Sequence, residues 1–228
     1  MPAPLEARFA LSALPKSLRP RATVYVLDPA RGYVLERKGT NGQSCLVKRM
    51  EWQAADYRND LFAPICFDEA GATHQMRVIL DAAALRARGI GPELTREQIW
   101  EGFFSGDYTA PDRPGIAYMT APVTRTYSSP DPGADSPVVT VSAPRVLYYA
   151  PNVPAGRGND RACPPGAPYP YVLDAGPHGY FVQRLGAQES ARIVADEASL
   201  LADLCAYRRE LCLPAAPHSR DQGRSHEY

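Results

Sequence analysis

Residues 22–52, ATVYVLDPARGYVLERKGTNGQSCLVKRMEW, carry three short strand signals separated by two turn signals. Within Thr23–Leu27, Val24 and Val26 face one way and Tyr25 and Leu27 the other. Both sets are apolar, which predicts an interior strand. Asp28-Pro29-Ala30-Arg31-Gly32 has turn chemistry, with proline setting φ at the second position and glycine closing the turn. Tyr33–Arg37 then returns as a partner strand. Thr40-Asn41-Gly42 is a second turn, because Asn and Gly tolerate the positive φ of a tight hairpin. Gln43–Met50 follows as a third strand with Cys45 and Val47 on one face. The simplest arrangement is a meander of three antiparallel strands, the minimum for an independently stable sheet.

On the N-terminal side, residues 4–14 place Leu5, Phe9, Leu11 and Leu14 near one side of a helix that Pro15 stops. On the C-terminal side, Glu51–Leu61 reads as a polar loop or a short helical turn, and Pro64–Phe67 as a short extended piece. Laid beside the Cys45 strand, that piece makes a Cys45–Cys66 disulfide sterically natural, with a stabilisation of about 3 kcal/mol on the chain-entropy view. Thr73–Arg88 has a helical face of Met76, Ile79, Leu80, Ala83 and Ala84 and ends at Gly89. A second helix starts at Thr95, with Gln98 completing a capping box, and carries Ile99, Trp100 and Phe103 before Gly106. The pair forms an αα-hairpin packed on the sheet.

Further strands are expected at Ile116–Met119, Val138–Val141 and Val146–Tyr149, with residues 121–137 loop-like and Pro151–Pro170 a long loop holding Cys163. Tyr171–Leu173 and Tyr180–Leu185 form a last hairpin with His178 at its turn. A helix over Asp196–Leu211 carries Leu200, Leu201, Leu204, Tyr207 and Leu211 on one stripe. The expected fold is therefore α+β: a mainly antiparallel sheet with an αα-hairpin and a C-terminal helix packed on it. It spans one domain, 1–213, followed by a disordered tail, 214–228.

Lys plus Arg and Asp plus Glu number 25 each, which removes the electrostatic argument for a nucleic-acid or anionic-membrane partner. No run of about 18 apolar residues suggests a membrane span. The five cysteines include no C-x-x-C pair, which disfavours zinc ribbons and thioredoxin-like redox motifs. Two bridges and one thiol would suit an exported, periplasmic or secreted protein, and five reduced thiols a cytoplasmic one. MPAPLEARFA lacks the charged and apolar regions of a signal peptide, so the export reading expects a leader removed ahead of these residues.

His178 is the candidate catalytic residue, set in Gly-Pro-His-Gly between strands, with Asp174 four residues earlier to orient its ring. The structural alternative is a turn histidine that hydrogen-bonds a backbone carbonyl. A Cys45–His178 nucleophilic pair competes directly with Cys45 in a disulfide. His74, His178, His218 and His226 have no H-E-x-x-H or close H-x-H spacing, so neither a metal nor a cofactor is expected. Dinucleotide, phosphate-loop and nucleophile-elbow patterns are incomplete or missing. Tyrosines crowd the proline-rich second half, and Tyr118, Tyr148 and Tyr180 are the candidate ligand-binding residues, ordinary sheet packing being the alternative.

Gly39-Thr40-Asn41-Gly42 with Cys45, Pro64-x-Cys66, Arg113-Pro114-Gly115-x-Ala117-Tyr118-Met119, Tyr149-Ala150-Pro151 and Gly176-Pro177-His178 together resemble an uncharacterised group of small exported bacterial proteins. The resemblance spans roughly residues 10–185 and implies export and a single domain, but no activity. The sequence thus supports three readings. The first is an exported soluble protein that binds a small molecule in a Tyr- and Pro-lined cleft. The second is a cofactor-free hydrolase or lyase using His178, and the third is a protein-interaction or structural module. A closed apolar pocket would favour the first, His178 facing a polar partner in a cleft the second, and a flat exposed aromatic patch the third.

Overall fold

The computed structural model of the chain describes residues 1–51, 56–128, 137–152, 171–174 and 176–214, with 56 and 171–174 placed by their backbone. Cys163, the tail from residue 215 and most of the Pro151–Pro170 loop lie outside the described residues. The order of elements is α1 (Ala3–Ser12), β1 (Thr23–Asp28), β2 (Gly32–Arg37), β3 (Ser44–Lys48), β4 (Met50–Glu51), β5 (Asp56–Tyr57) and β6 (Ala63–Phe67). Then come α2 (Glu69–Thr73), α3 (Gln75–Ala87), α4 (Pro92–Ser105), β7 (Ile116–Met119), β8 (Thr124–Tyr127), β9 (Val138–Val141) and β10 (Arg145–Tyr149). β11 (Tyr171–Asp174), β12 (Tyr180–Arg184), α5 (Ala187–Asp196) and α6 (Ala198–Tyr207) complete the chain.

Eight strands form one sheet in the order β11-β12-β10-β7-β6-β3-β1-β2. Every neighbouring pair is antiparallel except β1 and β3. The fold is α+β with a mainly antiparallel sheet, as the sequence predicts. The meander is corrected, because β3 pairs with β1 and runs parallel to it, with Thr23 opposite Ser44 and Val24 opposite Cys45. The chain leaving β2 doubles back beneath β1, where Thr40 N donates to Arg21 O (2.7 Å) and Gly39 N to Thr23 Oγ1 (2.9 Å). Gly39 makes this crossing feasible, since a Cβ there would overlap the backbone of Arg21, Ala22 and Thr23. β2, ending in exposed Glu36 and Arg37, is left as a charged edge strand.

Alternation along the central strands sends side chains into two cores. Cys45, Val47 and Cys66 face α1 and α6, packing with Phe9, Ala10, Leu14, Leu200 and Leu204. Leu46, Ile65 and Phe67 point the other way, into α3 and α4, with Met76, Val78, Ile79 and Ile99. Helices therefore cover both faces. Each fully buried Leu, Ile or Phe contributes roughly 1.5–3 kcal/mol, so both layers hold the sheet.

The helices depart from expectation at their starts. Asp68 opens the short helix α2 ahead of α3, its Oδ1 accepting from Gly71 N at 2.9 Å. α4 begins at Pro92 rather than at the Thr95 capping box, because proline presets φ in the first turn and its missing N–H costs nothing there. Thr95 is buried inside the helix. Two small antiparallel strand pairs, β4–β5 and β8–β9, place strands at Asp56–Tyr57 and Thr124–Tyr127, inside the stretches Glu51–Leu61 and 121–137 expected as loops. The helix expected over Asp196–Leu211 is α6 followed by a 3-10 turn at Arg209–Leu211, and an additional helix, α5, precedes it across Glu197, whose carboxylate binds Arg19 at 2.5 Å. Leu200, Leu204 and Leu211 are buried, matching the predicted stripe. Disulfides join Cys45 to Cys66 and Cys205 to Cys212, a pairing that fits an oxidising compartment. Among the described residues, no helix is long and apolar enough to cross a membrane.

Candidate functional site

Antiparallel pairing brings the ends of β6 and β10 beside the starts of β7 and β12, with Phe67 opposite Ala117, Tyr148 opposite Ile116, and Tyr149 opposite Tyr180. Three stretches far apart in sequence, Arg113–Gly115, Tyr149–Pro151 and Gly176–His178, consequently meet at one end of the sheet. Asp68 organises this end. Its Oδ2 accepts from Ile116 N at 2.8 Å, and Tyr149 Oη donates to Ile116 O at 2.9 Å. Burial, reinforced by the Asp68 carboxylate, pushes the Tyr149 phenol far above its ordinary range. A Cβ at Gly115 would overlap Asp68 and the Tyr149 ring, so glycine is required and the cluster is closed to a ligand.

His178 lies next to this cluster, 2 % exposed. Its Nε2 is 2.8 Å from Thr109 O, and His74 Nδ1 is 2.9 Å from the same oxygen and 3.1 Å from Thr109 Oγ1. A carbonyl only accepts, so both ring nitrogens carry protons toward it. Two imidazoles thereby pin the loop that leaves α4. The arrangement positions backbone; it does not present His178 Nε2 to a substrate. Asp174 is placed through its backbone, opposite Tyr180, and its expected contact with His178 lies outside the described residues.

The His178 ring meets Phe103 of α4 in a T-shaped contact, with centroids 5.0 Å apart. Phe103 in turn packs on Tyr108 at 5.1 Å. Tyr108 Oη donates to Asp81 Oδ2 at 3.2 Å, and burial, then Asp81, raises its pKa. Outward from Phe103 come Trp100 at 5.9 Å and, 6.0 Å beyond Trp100, Phe104. Trp100 is 41 % and Phe104 85 % exposed. The helical repeat explains the division: Thr95, Ile99 and Gly102 point into the core, while Glu93, Glu97, Trp100, Glu101 and Phe104 turn to solvent. A rigidly supported helix therefore displays two neighbouring aromatic rings.

Sequence reasoning found His178 at this site but missed Phe104 and the carboxylates. The signal was there: Ile99-Trp100 and Phe103-Phe104 are too many large residues for one core-facing stripe. Trp100, expected among the apolar residues of this helix, lies on its solvent side. The three candidate tyrosines do not line one wall. Tyr180 is buried in the core under α3 and α4, Tyr118 packs on the opposite face of the sheet beside the α1 core, and Tyr148 is exposed on that same opposite face.

An open depression of about 580 Å³ lies on the other flank of α4, lined by Arg31, Asp81, Arg88, Gln98, Ile99 and Tyr108 among others. Two of its charges are already engaged, Arg31 with Asp28 and Asp81 with Tyr108. The sheet's other buried charges are also paired: Arg49 with Glu6 at 3.2 Å, and Lys48 with Glu51. Among the described residues no group of three or more His, Cys, Asp or Glu side chains is placed to hold a metal. No family, no curated protein and no solved structure matches the chain.

Proposed function

We propose that the protein is an exported recognition module, periplasmic or secreted, that binds a protein partner through the solvent face of α4. One observation carries the reading: Phe104, 85 % exposed, stands beside Trp100 on a helix whose Phe103 rests on His178. Large aromatics presented on a rigid element supply the central anchors of protein interfaces, because they bury much area at little conformational cost. The two disulfides and the resemblance to exported bacterial proteins support the compartment. His178 then serves as support for the binding helix, and the hydrolase or lyase reading loses the ring nitrogen already committed to Thr109.

The test is partner capture from an extract of the oxidising compartment, comparing the wild type with W100S/F104S. A partner held by the first and released by the second, then titrated as a pure protein to a saturable 1:1 complex, supports the reading. Equal capture by both sinks it. The small-molecule reading keeps one supporting observation, the depression beside Arg31, Arg88 and Tyr108, whose volume is in the range of ligand sites. A thermal-shift screen in which R31A/R88A abolishes a hit would favour that reading instead.

A further inference from the structure

We infer that the partner segment docked on α4 is cationic and amphipathic, a short helix or peptide with Lys or Arg flanking apolar residues. The inference rests on the interaction reading above and adds the chemistry of the occupant. Glu93, Glu97 and Glu101 recur at every fourth residue along the exposed side of α4, so they form a ridge of like charge. Such spacing is unfavourable in a helix on its own. None of the three has an ion-pair partner among the described residues, whereas several carboxylates elsewhere on the surface do. Asp28 pairs with Arg31, Asp60 with Arg58, Glu69 with Arg113, Asp196 with Lys16 and Asp203 with Arg8. In a chain with 25 cationic and 25 anionic side chains, the unpaired ridge is a local excess.

The aromatic residues lie within the same face. At 100° per residue Phe104 projects directly opposite buried Thr95, with Trp100 on one side of it and Glu97 and Glu101 on the other. A cationic side chain can thus reach a carboxylate and an aromatic ring together, combining ion pairing with cation–π attraction. A second copy of the chain fits poorly, because a two-fold contact through α4 would bring one acidic ridge against another. One face of a single helix, roughly 21 Å long, also matches a peptide segment better than the broad surface of a whole domain.

The experiment titrates the full chain with three synthetic amphipathic peptides of identical apolar pattern, with Lys, Gln or Glu at the polar positions. Anisotropy of a labelled peptide is read at low and at physiological salt. Expected is saturable 1:1 binding of the Lys peptide, at least tenfold tighter than the Gln peptide, with no binding of the Glu peptide. E93Q/E97Q/E101Q should lose that tenfold preference and the salt dependence, and W100S/F104S should lose binding altogether. All these positions are exposed, and circular dichroism with the melting temperature verifies that each variant is folded. Equal binding of the Lys and Gln peptides through Trp100 and Phe104 overturns the cationic partner and leaves the interaction reading standing. Binding that neither set of substitutions alters overturns the inference as non-specific attraction. Binding of none of the peptides also overturns it. Concentration-dependent dimerisation abolished by W100S/F104S would make a second copy the occupant. Failure of the interaction reading itself is seen separately, as partner capture indifferent to W100S/F104S.

Discussion

Cys45 and Cys66 stand directly opposite each other on β3 and β6, with Cα atoms 4.0 Å apart and both residues wholly buried against α1. Cys66 Sγ also lies 3.4 Å from Ala10 O of that helix. The bridge therefore ties two central strands at the place where the N-terminal helix crosses them.

Replacing the pair as C45A/C66A is expected to cost about 3 kcal/mol in a denaturant titration, from the enlarged unfolded ensemble. Under mild reductant, Cys205 and Cys212, half-exposed at the end of α6, should become alkylated well before Cys45 and Cys66. Mass mapping of the labelled thiols gives the order.

His178→Ala removes a buried ring, its bond to Thr109 and the support under Phe103. The expected loss is about 2–4 kcal/mol, as for other large buried side chains that leave a cavity and an unpaired acceptor. A second effect distinguishes this role: the α4 amides and the Thr109 loop should lose hydrogen-exchange protection before the rest of the sheet does.

Two residues of α4 provide a contrast. Ile99→Ala should cost about 2–5 kcal/mol, since Ile99 is 1 % exposed in the core. Phe104→Ala should stay within about 0.5 kcal/mol, because its ring contributes little to the fold. Equal losses in thermal melts would mean that Phe104 is packed rather than presented.

The N-terminal segment, residues 8–19, is tied to α5, α6 and their junction by Arg8–Asp203, Lys16–Asp196 and Arg19–Glu197. The first two are exposed and should be worth under about 0.5 kcal/mol each. Arg19 and Glu197 are more sheltered, and Arg19 also donates to Leu14 O and Ser12 O. Glu197→Gln is expected to cost about 1–2 kcal/mol, clearly more than Asp203→Asn in the same urea titration.

Alkaline pH should unfold the protein cooperatively. Tyr33, Tyr57, Tyr108 and Tyr149 all have phenol pKa values raised by burial in the folded state. A group with a raised folded pKa contributes stability in full below its unfolded pKa, near 10 for tyrosine, and loses it as pH climbs above that. Tyr149 alone, 8 % exposed, should remove about 1.4 kcal/mol per pH unit in that window, and the others act in the same direction. Phenolate absorbance and circular dichroism should change together above pH 10. Gradual tyrosine ionisation in a still-folded chain would contradict this.

Local chemistry made several elements legible in the chain itself. Apolar residues on both faces of Thr23–Leu27 marked an interior strand, Asp28–Gly32 its hairpin turn, and the leucine stripe Leu200, Leu204 and Leu211 a buried helical face. The Cys45–Cys66 bridge was readable too, because two short strands placed side by side leave those residues opposed. Less of the candidate site was visible. His178 stood out by its turn context, but whether its nitrogen is offered to a ligand or spent on a backbone carbonyl depends on Thr109, 69 residues away. Tyr118, Tyr148 and Tyr180 are alike in composition and strand context, yet the register of β7, β10 and β12 sends Tyr180 to the other face.

What the amino-acid sequence by itself determined is the class of the fold, its α-hairpin, its central disulfide and the interior place of its first strand. These follow from periodicities of two and 3.6 residues and from turn residues, all of them local. The tertiary structure alone decided that β3 runs parallel beside β1, that the fragments around Asp68, Gly115, Tyr149 and His178 converge, and that Trp100 and Phe104 remain in solvent while Ile99 does not. Each is a choice among non-local partners, set by which surfaces can be buried together once the chain is closed on itself.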